Sequence, residues 1–355
     1  MTQLLRLGIV AIAGITALGG LGCSQKSETT TYPAPGKSSG AKLKIVFIPK
    51  STGNAYFDEV TTGFKVEADK IGADFSTTAP ATADATSQIS YIKEQVQKGV
   101  DVIAITPNSP DALNATLDEA KAKGVLIITV DADLTGNEGH RTACVLPTDF
   151  SQVGTGLLDT LASELKDGGE IAILSATRDA SNQNAWIEGM KKALSEPAYA
   201  KLKLVDIVYG DDQAEKSATE AQGLFAKHPN LRGIISPTSV GLPATAQALE
   251  LAGNYPGGPH APGGGIVLTG LSTPKQMTKF VHDGVLAKFQ LWNPRVMGVL
   301  ACMLADGLKS GKIKPDEGVE VNVPGPGLRK FGPNGVITAG PIVTFDKSNI
   351  GQYHF

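Results

Sequence analysis

Short apolar runs alternate with amphipathic stretches along most of the chain. Runs rich in Val and Ile predict strands at residues 44–49, 100–106, 125–130, 170–175, 202–209, 233–236 and 265–270. Their apolar character is continuous, which is typical of parallel strands covered on both faces. Between them, apolar residues recur at helical spacing, as with Phe57, Val60, Phe64 and Ala68. Strands that alternate with helices of this length predict βαβ units, so the expected fold class is α/β with doubly wound parallel sheets.

The alternation pauses at residues 143–151 and then begins again. This pause predicts a crossing between two domains of similar build, and 355 residues are enough for two domains of ordinary size. The Gly- and Pro-rich stretch 256–265 predicts an irregular loop, and the chain after Lys312 predicts extended segments on the surface of the two sheets. No helix-turn-helix pattern precedes the first strand, which argues against a DNA-binding repressor with a sensing domain.

The first 42 residues predict export and attachment to a membrane. Arg6 and the apolar run 7–21 have the layout of a secretory signal peptide, expected at residues 1–22. The signal ends in Gly22-Cys23, which resembles the bacterial lipobox and makes Cys23 the expected lipidation site; an ordinary cleaved signal with an incidental cysteine is the alternative. Residues 23–42 are polar and suit a flexible tether. The expected location is the periplasm or the outer face of the cytoplasmic membrane.

The composition describes a globular protein with a net charge of −3. Such a mild charge without a basic stripe gives no reason to expect nucleic acid as a partner. No stretch after the signal approaches the roughly 20 apolar residues of a membrane-spanning helix. Cys144 and Cys302 lie in apolar segments, where a buried free thiol and, in an oxidising compartment, a disulfide are both possible.

Catalytic and metal-binding motifs are not found in the sequence. The five histidines are scattered, and no phosphate-binding loop, nucleophile elbow or metalloprotease motif occurs. Asp131 and Asp133 follow a predicted strand and suit acid–base chemistry, but they accept hydrogen bonds from a bound hydroxyl equally well. We therefore expect a binding protein without cofactor, metal or enzymatic activity, and keep a surface lipoprotein enzyme acting on sugars as an alternative.

Polar and aromatic side chains follow the predicted strands, at the ends where open α/β sheets bind ligands. Carboxylates and amides satisfy the hydroxyls of a polyhydroxylated molecule, and aromatic rings cover its C–H face. Trp186 fits a core position as well as a ligand contact, and Asn182 fits a helix N-cap. The candidate ligand-binding residues are Lys50, Asn54, Tyr56, Phe57, Asn108, Asp131, Asp133, Asn182, Gln183, Trp186, Pro237, Ser239, Trp292 and Asn293.

Motifs along the chain from about Lys44 onward resemble the type I periplasmic sugar-binding proteins of ABC importers, in particular the group of the autoinducer-2 receptor and the rhamnose-binding proteins. The resemblance implies two domains joined by three hinge strands that close on a ligand, and a monomer that docks to a membrane permease. The motifs are Phe47-Ile48-Pro49-Lys50, Ser109-Pro110-Asp111, Asp131-Ala132-Asp133, Asn182-Gln183-Asn184-Ala185-Trp186, Leu242-Pro243-Ala244 and Leu291-Trp292-Asn293.

The resemblance also implies domain boundaries and ligand contacts. The N-terminal domain is expected at residues 43–147 plus about 292–320, and the C-terminal domain at 148–291 plus about 321–355. Asn182 stands where the family has an aspartate, and Ser239 adds a hydroxyl, so a deoxy-sugar, pentose or other polyol is expected before autoinducer-2. A receptor that takes up the autoinducer-2 quorum signal is the alternative. The family's ligand positions carry Lys50, Asp131, Asp133, Asn182, Gln183, Pro237 and Ser239.

Overall fold

A computed structural model describes residues 41–355 of the chain; the predicted signal peptide, Cys23 and most of the tether lie outside them. The strands are β1 (Lys44–Ile48), β2 (Asp74–Thr77), β3 (Val102–Ile105), β4 (Leu126–Val130), β5 (Ala143–Leu146), β6 (Gly169–Ser175), β7 (Leu202–Tyr209), β8 (Leu231–Ser236), β9 (Val267–Gly270), β10 (Phe289–Leu291), β11 (Glu320–Val323), β12 (Gly327–Lys330), β13 (Val336–Thr338) and β14 (Val343–Phe345). The helices are α1 (Ala55–Ile71), α2 (Ile89–Gln97), α3 (Asn114–Ala122), α4 (Phe150–Glu164), α5 (Ser181–Leu194), α6 (Ala214–Lys227), α7 (Gly241–Ala252), α8 (Pro274–His282) and α9 (Pro294–Lys309).

Two parallel sheets organise the molecule. The first has the strand order β13-β5-β4-β3-β1-β2, and the second has the order β7-β6-β8-β9. In β1, Ile45 and Phe47 pack into one buried cluster while Val46 and Ile48 pack into another on the opposite face. Helices therefore cover both faces of this strand, which explains its continuous apolar character. The predicted α/β fold with two doubly wound parallel sheets is confirmed.

Three chain segments connect the two sheets. The chain leaves the first sheet after β5 and enters α4, which packs against β8, β9 and α5 of the second. It returns after β10 into α9, which packs on α1, β3 and β4 of the first sheet. It crosses a third time between β13, which pairs with β5, and β14, which pairs with β10.

The return to the second domain was expected at about residue 321, which differs from this pairing. Strand β13 adds to the free edge of β5, so the chain stays with the first sheet until Thr338. The segments after Lys312 were also expected to lie on the surface, yet Ile337 of β13 and Phe345 of β14 are fully buried. Their short apolar stretches are interrupted by Pro and Gly, which hides the strands in the sequence pattern. The remaining domain boundaries stay predictions.

Two of the helices in contact approach closely because glycines lie between them. A Cβ atom at Gly63 of α1 would meet the backbone of Arg295, and one at Gly298 of α9 would meet the backbone of Val60. Both helices begin near the carboxyl ends of the strands of the first sheet, with Asn54 and Asn293 as their N-caps. The close packing of α1 on α9 therefore fixes the chain segments on which Tyr56 and Trp292 lie.

Cys144 and Cys302 are both buried free thiols. Burial raises the pKa of each thiol above its ordinary value, so neither is an activated thiolate. Among residues 41–355, no helix has the length and apolar character needed to cross a membrane.

Candidate ligand-binding site

The carboxyl ends of the two sheets point at one another across a small cavity of about 40 Å³. Eleven of the fourteen residues predicted from the sequence line it, together with four that were not predicted. This volume holds a water molecule or two and no monosaccharide. Side chains of the two domains therefore contact one another directly in this arrangement. The lining consists of Lys50, Asn54, Tyr56, Phe57, Asp131, Asn182, Gln183, Trp186, Asp212, Pro237, Thr238, Ser239, Leu271, Leu291 and Trp292.

Asp131 lies at the centre of this site, directly after β4. One carboxylate oxygen accepts a hydrogen bond from the Tyr56 hydroxyl at 2.6 Å, and the other accepts from the side-chain amide of Asn182 at 3.1 Å. Its backbone has φ 70°, the left-handed region that a residue other than glycine adopts at a cost. Burial raises the pKa of Asp131, while the ammonium of Lys50 and the Tyr56 hydrogen bond oppose this rise.

Tyr56 is held from the other side by Trp292. The indole Nε1 of Trp292 donates to the Tyr56 hydroxyl at 2.7 Å, and the two rings meet edge to face with centroids 6.3 Å apart. Burial and the negative charge of Asp131 raise the pKa of Tyr56 well above its ordinary value. The phenol therefore stays protonated and donates its only hydrogen to Asp131, which fixes the direction of this chain of hydrogen bonds.

Asn182 links Asp131 to Lys50 across the cleft. Its side-chain oxygen accepts from the Lys50 ammonium at 3.0 Å, so its amide group must point at Asp131. Gln183 braces the start of α5, because its side-chain oxygen accepts from the Ser175 hydroxyl at 2.6 Å and from the backbone N–H of Ala176 at 2.8 Å. Lys50 follows β1 of the first sheet and Asn182 follows β6 of the second, and both side chains are buried.

Two further hydrogen bonds join the domains beside this centre. The Ser181 hydroxyl donates to the backbone carbonyl of Asp133 at 2.8 Å. The Ser239 hydroxyl donates to the side chain of Asn54 at 3.0 Å, while the same oxygen of Asn54 caps α1. Together with the bonds of Asn182, these contacts hold the two walls of the cleft together. The described arrangement is therefore a closed one.

Asp133 was predicted as a ligand contact, and the structure places it outside the cavity. Its carboxylate forms a buried ion pair with Arg141 and accepts from the hydroxyl of Thr129 at 2.7 Å. Burial alone would raise the pKa of Asp133, but the hydrogen bonds and charge of Arg141 outweigh it and lower the pKa. The carboxylate therefore serves the structure of the loop after β4, and only its backbone carbonyl reaches the second domain.

Asn108 and Asn293 also lie outside the cavity. Asn108 donates to the backbone carbonyl of Lys50 at 2.9 Å, so it supports the loop that carries the lysine. Asn293 is exposed and caps α9 by accepting from the backbone N–H of Arg295 at 3.0 Å. Asparagine is a preferred N-cap, and its position after a strand does not separate this role from ligand binding.

Four lining residues were not predicted from the sequence, namely Asp212, Thr238, Leu271 and Leu291. Asp212 follows β7, and its carboxylate accepts from the Thr238 hydroxyl at 2.5 Å. The rule that ligands lie beyond the strand ends would have found Asp212, had it been applied to β7 as it was to the other strands. Leu271 and Leu291 carry no polar signal, and only the fold shows that they face the site.

Two indoles form the aromatic part of the wall. The rings of Trp186 and Trp292 lie 5.8 Å apart, and Phe150 packs edge to face on Trp186 at 5.2 Å. Trp186 is 2% exposed, so it belongs to the core and to the cavity lining at once. Its Nε1 hydrogen has no hydrogen-bond partner within residues 41–355.

Residues 41–355 contain no cluster of three or more His, Cys, Asp or Glu side chains that would hold a metal ion. The site therefore consists of hydrogen-bond donors and acceptors arranged on two facing walls, with indole rings beside them. Such a lining suits a small molecule with several hydrogen-bonding groups.

Comparisons with known proteins agree with this arrangement. The profile of the periplasmic binding protein domain matches residues 45–313. An ABC transporter solute-binding protein from Clostridium phytofermentas, solved with bound L-rhamnose, is 31% identical and aligns over 88% of this chain and 98% of that chain, with a TM-score of 0.82. A sugar ABC transporter protein from Actinomyces odontolyticus is 37% identical over 88% of this chain and 97% of that chain, with a TM-score of 0.68. The ribose import binding protein RbsB of Bacillus subtilis is 23% identical over 80% of this chain and 88% of that protein. This chain belongs to the periplasmic binding protein family.

Proposed function

We propose that this protein is the substrate-binding lipoprotein of an ABC importer, and that it captures a monosaccharide or sugar-like ligand between its two domains. The observation that carries the proposal is a buried network centred on the carboxylate of Asp131, which accepts from Tyr56 and, across the cleft, from Asn182. Trp292 donates in turn to the Tyr56 hydroxyl, and Lys50 donates to Asn182. Relatives named as sugar importers and binding proteins support the same class of ligand.

The ligand enters when the cleft opens and is enclosed when it closes. Its hydroxyls replace the hydrogen bonds that now run directly between the walls, such as those from Asn182 to Asp131 and from Lys50 to Asn182. A hydroxyl both donates and accepts, so it satisfies the carboxylate on one wall and the ammonium or amide on the other. Closure buries the ligand and presents one rigid shape to the permease. The protein binds its ligand and releases it unchanged.

The finer parts of this proposal rest on the sequence. A lipidated Cys23 and the polar residues 24–42 would hold the binding domains near the permease while leaving them free to turn. The expected location is the periplasm or the outer face of the cytoplasmic membrane. L-Rhamnose is the first ligand to test, because the relative solved with it is 31% identical over nearly the whole described chain.

Isothermal titration of residues 41–355 with L-rhamnose, D-ribose, D-xylose, xylitol and autoinducer-2 tests the proposal. One ligand should bind at a ratio of 1:1 and be recovered unchanged. At 100 times its dissociation constant it should stabilise the fold by about 2.7 kcal/mol in a thermal-shift assay. Recovery of a chemically altered sugar would instead support the enzyme alternative, and autoinducer-2 as the tightest ligand would support a signal receptor.

A matched pair of variants on α5 provides the control. Asn182→Ala removes a bridge between the walls, whereas Asn184→Ala removes a side chain that donates to the backbone of Arg178 at 2.8 Å, outside the cavity. The first variant should weaken binding by about tenfold or more, and the second should bind like the wild type. Equal binding by both variants, or no binding of any sugar by the wild type, would refute the proposed site.

A further inference from the structure

The turn between β7 and α6 contains two aspartates in an unusual backbone conformation. Asp211 and Asp212 have φ 53° and 52°, the left-handed region, and neither is a glycine. A strained backbone of this kind is kept where it positions a side chain for function. Here it directs the two carboxylates to different places. Asp212 lines the ligand cavity, whereas Asp211 lines a separate polar cavity of about 450 Å³ and forms an ion pair with Lys216.

Asp212 approaches the ligand cavity from the second domain, while Asp131 lines it from the first. One oxygen of Asp212 accepts from the Thr238 hydroxyl at 2.5 Å, and the other has no hydrogen-bond partner in the part of the chain that the structure describes. The residues that line the cavity include one cation, Lys50, whose ammonium donates to Asn182. Two carboxylates and one ammonium leave the lining with a net negative charge.

The cavity also holds a donor that finds no partner inside residues 41–355. The indole N–H of Trp186 is buried and unpaired, although Trp186 lines the same cavity as the two carboxylates. A buried donor without a partner costs free energy, and an oxygen atom of a ligand would satisfy it. The lining therefore suits a molecule that offers hydrogens to the carboxylates and an oxygen to the indole.

We propose that Asp212 is a ligand-binding, specificity-determining residue, and that Asp131 and Asp212 together select neutral polyhydroxylated ligands and reject anionic ones such as sugar acids and sugar phosphates. The inference rests on the proposed function and adds a residue and a charge rule to it. An ionised carboxylate only accepts hydrogen bonds, so a ligand must present a hydroxyl hydrogen to each domain. A ligand carboxylate or phosphate would meet two like charges in a poorly hydrated site.

The same pair opposes closure of the cleft without ligand. When the domains approach, the two carboxylates come together, and the charge of Asp212 adds to the burial that raises the pKa of Asp131. Hydroxyls placed between them replace the repulsion with two charge-assisted hydrogen bonds. Lys50 and the Tyr56 hydroxyl stabilise the Asp131 side of this pair. Thr238 is the polar partner on the Asp212 side.

Asp212→Asn and Asp211→Asn form a matched test, because the two residues are adjacent, share the same φ and face different cavities. L-Rhamnose and D-ribose are the neutral probes, and L-rhamnonate and D-ribose 5-phosphate are the anionic ones. Titration calorimetry should show that Asp212→Asn weakens binding of the neutral probe by about 10- to 100-fold. The difference in affinity between the neutral probe and its anionic counterpart should become smaller. Asp211→Asn should bind like the wild type. Equal effects of the two variants would overturn the assignment of Asp212.

Small-angle scattering of the ligand-free protein tests the facing charges without any ligand. Asp212→Asn should have a smaller radius of gyration than the wild type and Asp211→Asn, because closure no longer brings two charges together. Identical radii in all three proteins would overturn the opposed pair. A wild type that binds none of the ligands named under the proposed function refutes that function, and the scattering comparison still decides whether Asp212 opposes Asp131.

Discussion

Asp131→Asn and Asp133→Asn should change the pH dependence of stability in opposite directions, although the residues are two apart. Asp131 is buried against Tyr56 and Asn182, and its pKa in the folded protein lies above the ordinary 3.8. The folded state then binds more protons than the unfolded state between pH 3.8 and the raised pKa. The wild type loses stability as the pH rises through this interval. Asn has no proton to lose, so the stability of Asp131→Asn relative to the wild type should rise across it.

The ion pair with Arg141 gives Asp133 the opposite sign. Its pKa in the folded protein lies below 3.8, so the folded state binds fewer protons than the unfolded state between that pKa and 3.8. The stabilisation is present above pH 3.8 and is lost as the pH falls through the lowered pKa. The loss of stability of Asp133→Asn relative to the wild type should therefore be largest at neutral pH and become smaller towards pH 3.

Each unit of pKa difference corresponds to about 1.4 kcal/mol. Asp133→Asn also leaves the buried guanidinium of Arg141 without its charge partner, which costs about 3–5 kcal/mol. Asp131→Asn sets an amide against a donor of Asn182, at a cost of about 1–3 kcal/mol that does not change with pH. The measurement is the melting temperature of both variants and the wild type from pH 3 to pH 7, where 1 kcal/mol corresponds to about 1–2 °C for a protein of this size. The difference in melting temperature between each variant and the wild type is plotted against pH. Equal slopes for the two variants, or no slope for Asp131→Asn, would refute the electrostatic reasoning.

Three smaller tests address the fold and the aromatic wall. Gly298→Ala places a methyl group against the backbone of α1 and should lower the unfolding free energy, measured in urea, by about 1–3 kcal/mol. Its control, Gly223→Ala on the exposed face of α6, should be neutral or stabilising by up to about 1 kcal/mol. Similar losses of stability in the two variants would argue against the close helix contact. Trp292→Phe removes the indole donor of the site's tyrosine hydroxyl, so it should weaken sugar binding several-fold in calorimetry, and unchanged affinity would remove this hydrogen bond from the binding mechanism. In residues 41–355, Cys144 and Cys302 should react with a thiol reagent only after denaturation, and rapid labelling of the native protein would contradict their burial.

The regular part of the fold was predictable because burial on both faces leaves a clear mark in the sequence. Strands β1, β3 and β4 are continuous apolar runs at the centre of a sheet, and each was predicted. Strand β2 was missed because it lies at the sheet edge and reads Asp-Phe-Ser-Thr. Strand β5 was taken for the crossing between domains, since its four residues run directly into the polar segment that does cross.

The site was predictable as far as strand ends determine it. Lys50, Asp131 and Asn182 follow strands and meet in one cavity, as expected for side chains at facing carboxyl ends. The sequence does not distinguish a carboxylate that faces the cleft from one that turns back to its own domain. Asp133 turns back because Arg141 lies eight residues further along and brings its charge into the loop. That pairing depends on the fold of the segment between them.

The last twenty residues of the chain have an influence that their length does not suggest. Strand β13 completes the edge of the first sheet, and β14 supplies the partner of β10, while the backbone carbonyl of Phe355 accepts from the N–H of Lys275. Neither domain is therefore complete until residues 336–355 have been synthesised. Such long-range pairing slows folding. A chain emerging from a ribosome or export channel therefore lacks β13 in the first sheet and the partner of β10 until this segment follows. A truncation near residue 335 would damage the two domains together, and a tag used to purify residues 41–355 belongs before Ala41.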